Sequence, residues 1–181
     1  MNIRRIRESD REQLKKICLA QASVRAREDP LYAQFTLAMY CEPYADMLDG
    51  FVLADDSDLA VGYIFSALTR EKHREALQHY IPLMEELGEE YSQRVRGECQ
   101  MYDAFQKEYP SHLHIDILEE YTGQGYGTKL MNALLAYLKE QGSKGVMLGV
   151  SPHNLRGIHF YQHCGFAILY EDGGYVMGKK L

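Results

Sequence analysis

The sequence predicts a mixed α/β fold, with a central sheet flanked by helices and a helical insertion between strands. Three observations predict it. Apolar segments with strand-like alternation are interleaved with segments of helical spacing. A glycine run, Thr122-Gly123-Gln124-Gly125-Tyr126-Gly127-Thr128, joins one such strand to one such helix. The stretch Thr69–Tyr109 is highly charged, helically spaced and free of strand character. The 181 residues fit one domain, 1–181, with the insertion at about 69–109.

The elements follow in order. Met1 to Arg7 alternates weakly and reads as a first strand. Ser9 followed by Glu12 is a capping-box pattern, and Leu14, Ile17, Cys18 and Gln21 continue at helical spacing. A second helix begins near Pro30 and carries Phe35, Met39, Tyr40 and Met47. Gly50–Ala54 and Leu59–Leu68 form a hairpin through the turn at Asp55–Asp58. The insertion reads as two or three helices, punctuated by Pro82, Gly88 and Gly97.

Ser111–Leu118 is the next strand. Leu113, Ile115 and Ile117 point one way, and His112, His114 and Asp116 the other. After the glycine run, Leu130, Met131, Leu134, Leu135 and Leu138 mark one face of a helix over Lys129–Lys139, which Gly142 ends. Val146–Val150 is apolar enough to be buried on both faces. Asn154 is placed to cap a helix carrying Ile158 and Tyr161, and Gly165 terminates it. Phe166–Tyr170 and Tyr175–Lys179 are joined by the turn Glu171-Asp172-Gly173-Gly174.

Composition excludes several function classes. Hydrophobic content is 46% and no apolar run reaches membrane-spanning length. The start, Met1-Asn2-Ile3-Arg4-Arg5, leads into charged sequence, so a cytoplasmic protein is expected. A net charge of −6 without a long basic patch argues against a nucleic-acid partner. Cys18, Cys41, Cys99 and Cys164 are scattered and read as reduced thiols.

The glycine run is the chemical signal. Peptide N–H groups bare of side chains, followed by a helix N-terminus, make a seat for phosphate. A P-loop requires Gly-Lys before Ser or Thr, whereas here Gly127 is followed by Thr128 and Lys129. A dinucleotide fingerprint needs a third glycine in register, which is missing. An NTP-dependent enzyme is therefore disfavoured.

Segment Ile115–Phe166 resembles the core of the GNAT superfamily, the Gcn5-related acyl-CoA N-acyltransferases. That family's loop reads Gln/Arg-x-x-Gly-x-Gly/Ala between a strand and a helix. Gly125 and Gly127 match its glycines, and Thr122 stands where Gln or Arg is preferred. Asn154, Phe160-Tyr161 and Gly165-Phe166 match the family's later residues in order. The stretch Tyr109–Asp116 also resembles, more weakly, the acetyltransferase-like domain of O-GlcNAc hydrolases and its free-standing bacterial relatives.

The resemblance implies acetyl-CoA as acyl donor and direct attack by a primary amine in a ternary complex. The acceptor would be a small molecule, an amino sugar or a peptide. It implies that Gln124–Thr128, with Thr122 and Gly123, wrap the pyrophosphate. It places backbone groups of Ile117 and Leu118 against the acetyl carbonyl and pantetheine arm, and Asn154 near that arm or the departing thiol. Tyr161 becomes the general acid for the leaving thiolate; on spacing alone it is a core aromatic. If the polar strand face looks into the acceptor cleft, Asp116 or His114 takes the amine proton; otherwise that face is solvated or bonded to the insertion.

Tyr32, Tyr40 and Tyr44, with the insertion, are candidates to wall the acceptor site or to be core. The insertion either closes over the substrate or joins a homodimer. His112/His114 and His159/His163 are same-face pairs, but neither brings an obvious third ligand, so no metal is expected. Cys164 has no evident base beside it. The rival function is an acyl-CoA-binding sensor or interaction module without turnover.

Overall fold

The computed structural model describes residues 1–181. Four antiparallel neighbours begin its seven-stranded sheet: β1 (Asn2–Arg5), β2 (Gly50–Ala54), β3 (Ala60–Ala67) and β4 (Ser111–Ile117). β5 (Gly145–Val150) runs parallel to β4. β6 (Ala167–Glu171) and β7 (Tyr175–Lys180) complete the order β1-β2-β3-β4-β5-β7-β6. The β2–β3 hairpin turns where Asp55 Oδ1 accepts from the amides of Ser57 and Leu59, at 2.8 and 3.0 Å.

Helices α1 (Arg11–Gln21), α2 (Val24–Glu28), α3 (Pro30–Tyr40) and α4 (Glu42–Met47) link β1 to β2. The insertion holds α5 (Arg70–Gln78), α6 (Ile81–Glu86) and α7 (Glu89–Phe105). α8 (Tyr126–Glu140) and α9 (Leu155–His163) follow β4 and β5.

The local structure departs from the sequence reading in four places. The Ser9–Glu12 capping box does not form: residues Glu8–Asp10 make a 3₁₀ turn, and Asp10 Oδ2 accepts the Arg7 amide at 2.8 Å. Asp10 also binds the Arg4 guanidinium through both oxygens, which gives it a better partner than Ser9 offers. A short helix, α2, precedes Pro30, capped by the Ser23 hydroxyl on the Ala26 amide. The second helix breaks at Cys41, because Pro43 cannot donate to the preceding turn and instead opens α4. Finally, α8 starts at Tyr126, three residues before the expected Lys129.

The sheet has two cores. On one face Leu130, Met131, Leu134 and Leu138 of α8 pack fully buried against Leu53, Ile64, Leu113 and Val146. Each such side chain contributes roughly 1.5–3 kcal/mol of burial. On the other face Leu14, Ile17 and Tyr44 cover Val52, Tyr63 and Phe65. The insertion has its own cluster, in which Leu77, Met84, Tyr91 and Val95 close on Phe35 and Met39 of α3. Buried Arg70 ties α5 to α7: Nε donates to Asp103 at 2.7 Å and Nη2 to the Cys99 carbonyl at 3.3 Å.

β4 and β5 pair only at Ser111↔Val146 and His112↔Met147. Beyond those residues the strands part, opening a slot at their C-terminal ends. The glycine run and the start of α8 lie where β4 leads into that opening.

Candidate active site

Gly123 and Gly125 adopt positive φ of 71° and 80°, a conformation costly for a residue with a Cβ. A Cβ added at either would meet no atom within 4 Å, so the run borders open space. The first amide of α8 with a chain acceptor is Lys129, on the Gly125 carbonyl at 3.2 Å. The amides of Gly123, Gln124, Gly125, Tyr126, Gly127 and Thr128 have no acceptor within the chain. They join the positive end of a 15-residue helix. The side chains of Thr122 and Gln124 turn back to the Glu119 and Glu120 carbonyls at 2.8 and 2.9 Å. The polar groups this run leaves open are therefore main-chain amides. Gly127 serves differently: it lies inside α8, and its lack of a Cβ admits the Phe160 ring of α9.

The strand that leads to this seat has one free edge. The Leu118 amide donates to the Val61 carbonyl on β3 at 3.0 Å, and its own carbonyl accepts from Tyr121. Antiparallel alternation turns His114 and Asp116 toward β3 in the same way, and sends the N–H and C=O of Ile115 and Ile117 toward the slot. Of the two residues expected to meet the pantetheine arm, Ile117 has its backbone free on that side, whereas the Leu118 groups are already engaged.

The opposite face of β4 is packed against helices, with His114 and Asp116 left partly exposed. His112 is wholly buried, bonded through Nδ1 to the Tyr44 hydroxyl at 2.8 Å and stacked on Tyr102 of α7. Burial, then His73 and Arg70, holds it well below the usual histidine range, so it is neutral. His114 stacks on Tyr40, with ring centroids 5.7 Å apart, and its Nε2 lies 3.1 Å from Asp116 Oδ2. Asp116 Oδ2 also accepts the Tyr63 hydroxyl at 2.5 Å. Burial opposes charging His114, but Asp116 and Cys18 overcome it and raise its pKa to about 10.

Cys18 was not singled out by the sequence. Its sulfur comes within 4.8 Å of the His114 and Asp116 ligand atoms, a three-residue group assembled from α1 and β4. The Cys41 thiol pushes Cys18 down most, burial opposes this, and His114 adds to the lowering, while Cys41 itself is driven up. Only three-dimensional packing joins these residues, which are 96 or more positions apart for Cys18 and β4. Tyr44 reaches this face and Tyr40 stacks at its centre, whereas Tyr32 packs away from it on Phe35 and Tyr91.

Tyr161 lies on α9, its ring 5.5 Å from Phe160 and 6.0 Å from Phe166. Burial, then Asp116 and Cys164, raises its phenol pKa and keeps it protonated at neutral pH. It is thus both packed against the core and close enough to feel the β4 carboxylate. Asn154 caps α9, its Oδ1 accepting the Gly157 amide at 2.8 Å. Its capping role is fixed by the fold, and its Nδ2 remains free to donate. Next to it, Arg156 holds Glu119 at 3.0 Å, linking α9 to the entrance of the glycine run.

The strands β4 and β5 part into a slot, with free main-chain amides near its end and Tyr161 on the adjoining helix. The chain belongs to the Acetyltransferase (GNAT) family, whose family model matches residues 25–166. It is 32% identical over 60 residues to mycothiol acetyltransferase of Propionibacterium freudenreichii subsp. shermanii. That match covers 33% of this chain and only 19% of the relative's length. The crystal structure of SsHAT superposes with a TM-score of 0.83 at 27% identity, covering 99% of this chain and 97% of that one. PaiA N-acetyltransferase of Thermoplasma acidophilum, solved with coenzyme A, shares the fold at a TM-score of 0.60 and 17% identity, covering 99% and 98%. No helix is long and apolar enough to cross a membrane.

Proposed function

We propose that the protein transfers an acetyl group from acetyl-CoA to a primary amine of a small molecule, amino sugar or peptide, within a ternary complex. The observation that carries this reading is the run of six amides, Gly123–Thr128, unclaimed by the chain and set at the mouth of the β4/β5 slot. The open space at Gly123 and Gly125 fits a diphosphate, and the free Ile117 edge fits a chain of amides. Acetyl-CoA would supply the activated acyl group.

The chain's own residues would do the rest. The Ile117 N–H polarises the acyl carbonyl from the strand edge, an oxyanion-type contribution. Tyr161, protonated at neutral pH, donates to the departing sulfur. Asp116 and Cys18 raise the pKa of His114 to about 10, which disfavours it as the proton acceptor, and Asp116 Oδ2 lies 3.1 Å from its Nε2. Holding amine and acyl group together converts a bimolecular step into a positioned one.

The test is a calorimetric titration with acetyl-CoA, followed by thiol release with a panel of amines. Binding with amine-dependent thiol release supports the transferase. Binding without release for any amine identifies a binding module, and no binding removes the reading.

A further inference from the structure

We propose that Glu98, on the inserted helix α7, accepts the proton of the incoming amine. This rests on the acetyl-transfer reading above.

The two proton acceptors suggested by the strand are both committed elsewhere. His114 has its pKa raised to about 10 by Asp116 and Cys18 against burial, and Asp116 Oδ2 already takes the Tyr63 hydroxyl and faces His114. Asp116 Oδ2 is thus occupied by two neighbours, and a proton arriving there would have to displace one of them. Of the other groups facing this site, His112 and His73 are neutral and buried, and Cys18 is sealed in the core.

Glu98 is the remaining carboxylate. It accepts from the Tyr40 hydroxyl, and Tyr40 in turn stacks on His114. It sits one turn before Tyr102 on α7, and the Tyr102 hydroxyl lies against Gly149 of β5. Glu98 is only partly exposed. Burial raises its pKa, although Tyr40, Arg94 and His114 oppose the rise. A carboxylate moved toward neutrality is a better proton acceptor at neutral pH than an ordinary one.

The proton balance closes. A primary ammonium has three N–H protons, and the amide product keeps one. The first passes to Glu98 and then to solvent, freeing the nitrogen lone pair. The C–N bond forms as the C–S bond breaks. Tyr161 gives its proton to the sulfur and is restored by the second nitrogen proton. The charged insertion thereby becomes part of the acceptor site, and an ammonium is the group its carboxylate would attract.

The experiment measures kcat/KM against pH for the wild-type chain, Glu98→Gln, Glu98→Asp and Tyr40→Phe, with acetyl-CoA and any amine that supports thiol release. Glu98→Gln still accepts from Tyr40, so it should fold. It is expected to lose roughly a hundredfold in kcat/KM and the acidic limb of the profile. Acetyl-CoA affinity should stay unchanged. Glu98→Asp and Tyr40→Phe should keep the limb at a reduced rate. If Glu98→Gln retains both the wild-type rate and the limb, the assignment is wrong. If Glu98→Gln does not fold, loss of the limb in Glu98→Asp overturns the assignment and its retention supports it. A wild-type chain that binds acetyl-CoA but acetylates no amine overturns the transfer reading and this role together.

Discussion

The Phe160 ring lies so close to Gly127 that a Cβ there would sit 3.2 Å from its Cε2 atom. A Cβ at this position would press on the ring and require it to give by a few tenths of an ångström. Gly127→Ala is expected to force the helices apart and destabilise the fold by about 1–3 kcal/mol, read by urea denaturation. Gly127→Ala/Phe160→Leu should recover part of the loss if the ring is the obstacle.

Gly125 is expected to behave differently. A side chain there meets open space but must adopt a φ of 80°. Gly125→Val should therefore cost about 1–2 kcal/mol of backbone strain, and it should also project into the space proposed for the diphosphate. Calorimetry should show acetyl-CoA affinity falling by more than tenfold; unchanged affinity would contradict the loop's role.

Tyr161 separates chemistry from binding. Tyr161→Phe keeps the ring packed against Phe160 and Phe166 and removes only the hydroxyl. Turnover should fall about a hundredfold with cofactor affinity nearly intact. A wild-type rate in this variant would return Tyr161 to the role of a packed aromatic.

His114 makes stability depend on pH. Its folded pKa, about 10, lies above its reference value of 6.5. The folded state binds the proton more tightly, so this contribution is full below pH 6.5, declines above it and is lost as pH passes about 10. Replacing His114 with Gln should cost more stability at pH 6 than at pH 10.5, measured by denaturant titration at both. An equal cost at both values would show that His114 is not charged in the folded state.

Arg70 tests how firmly the insertion is held. It is 2% exposed and bonded to Asp103, His73 and the Cys99 carbonyl. Arg70→Ala strands these partners and should destabilise by about 3–5 kcal/mol. Hydrogen exchange should rise first in α5–α7; a uniform rise would mean that the insertion unfolds only with the sheet.

The candidate site was legible in sequence to different depths. The glycine run stands out within a local strand–loop–helix order, whereas spacing alone reads Asn154 as a helix cap and Tyr161 as a core aromatic, and only the family resemblance singles them out. The alternation of β4 correctly separates Leu113, Ile115 and Ile117 from His112, His114 and Asp116. Cys18 and Glu98 carry no such mark. Each looks like an ordinary helix residue, and only the crossing of α1 and α7 over β4 brings them near His114.

By itself the sequence determined the mixed α/β class, the glycine-rich turn into a helix and most elements, because periodicity and turn chemistry act over a few residues. The tertiary structure decided where β4 and β5 part, which groups pack around His114 and Asp116, and that the insertion reaches Tyr40 beside His114. Those outcomes depend on burial and on charges brought together from distant segments, and local sequence encodes neither.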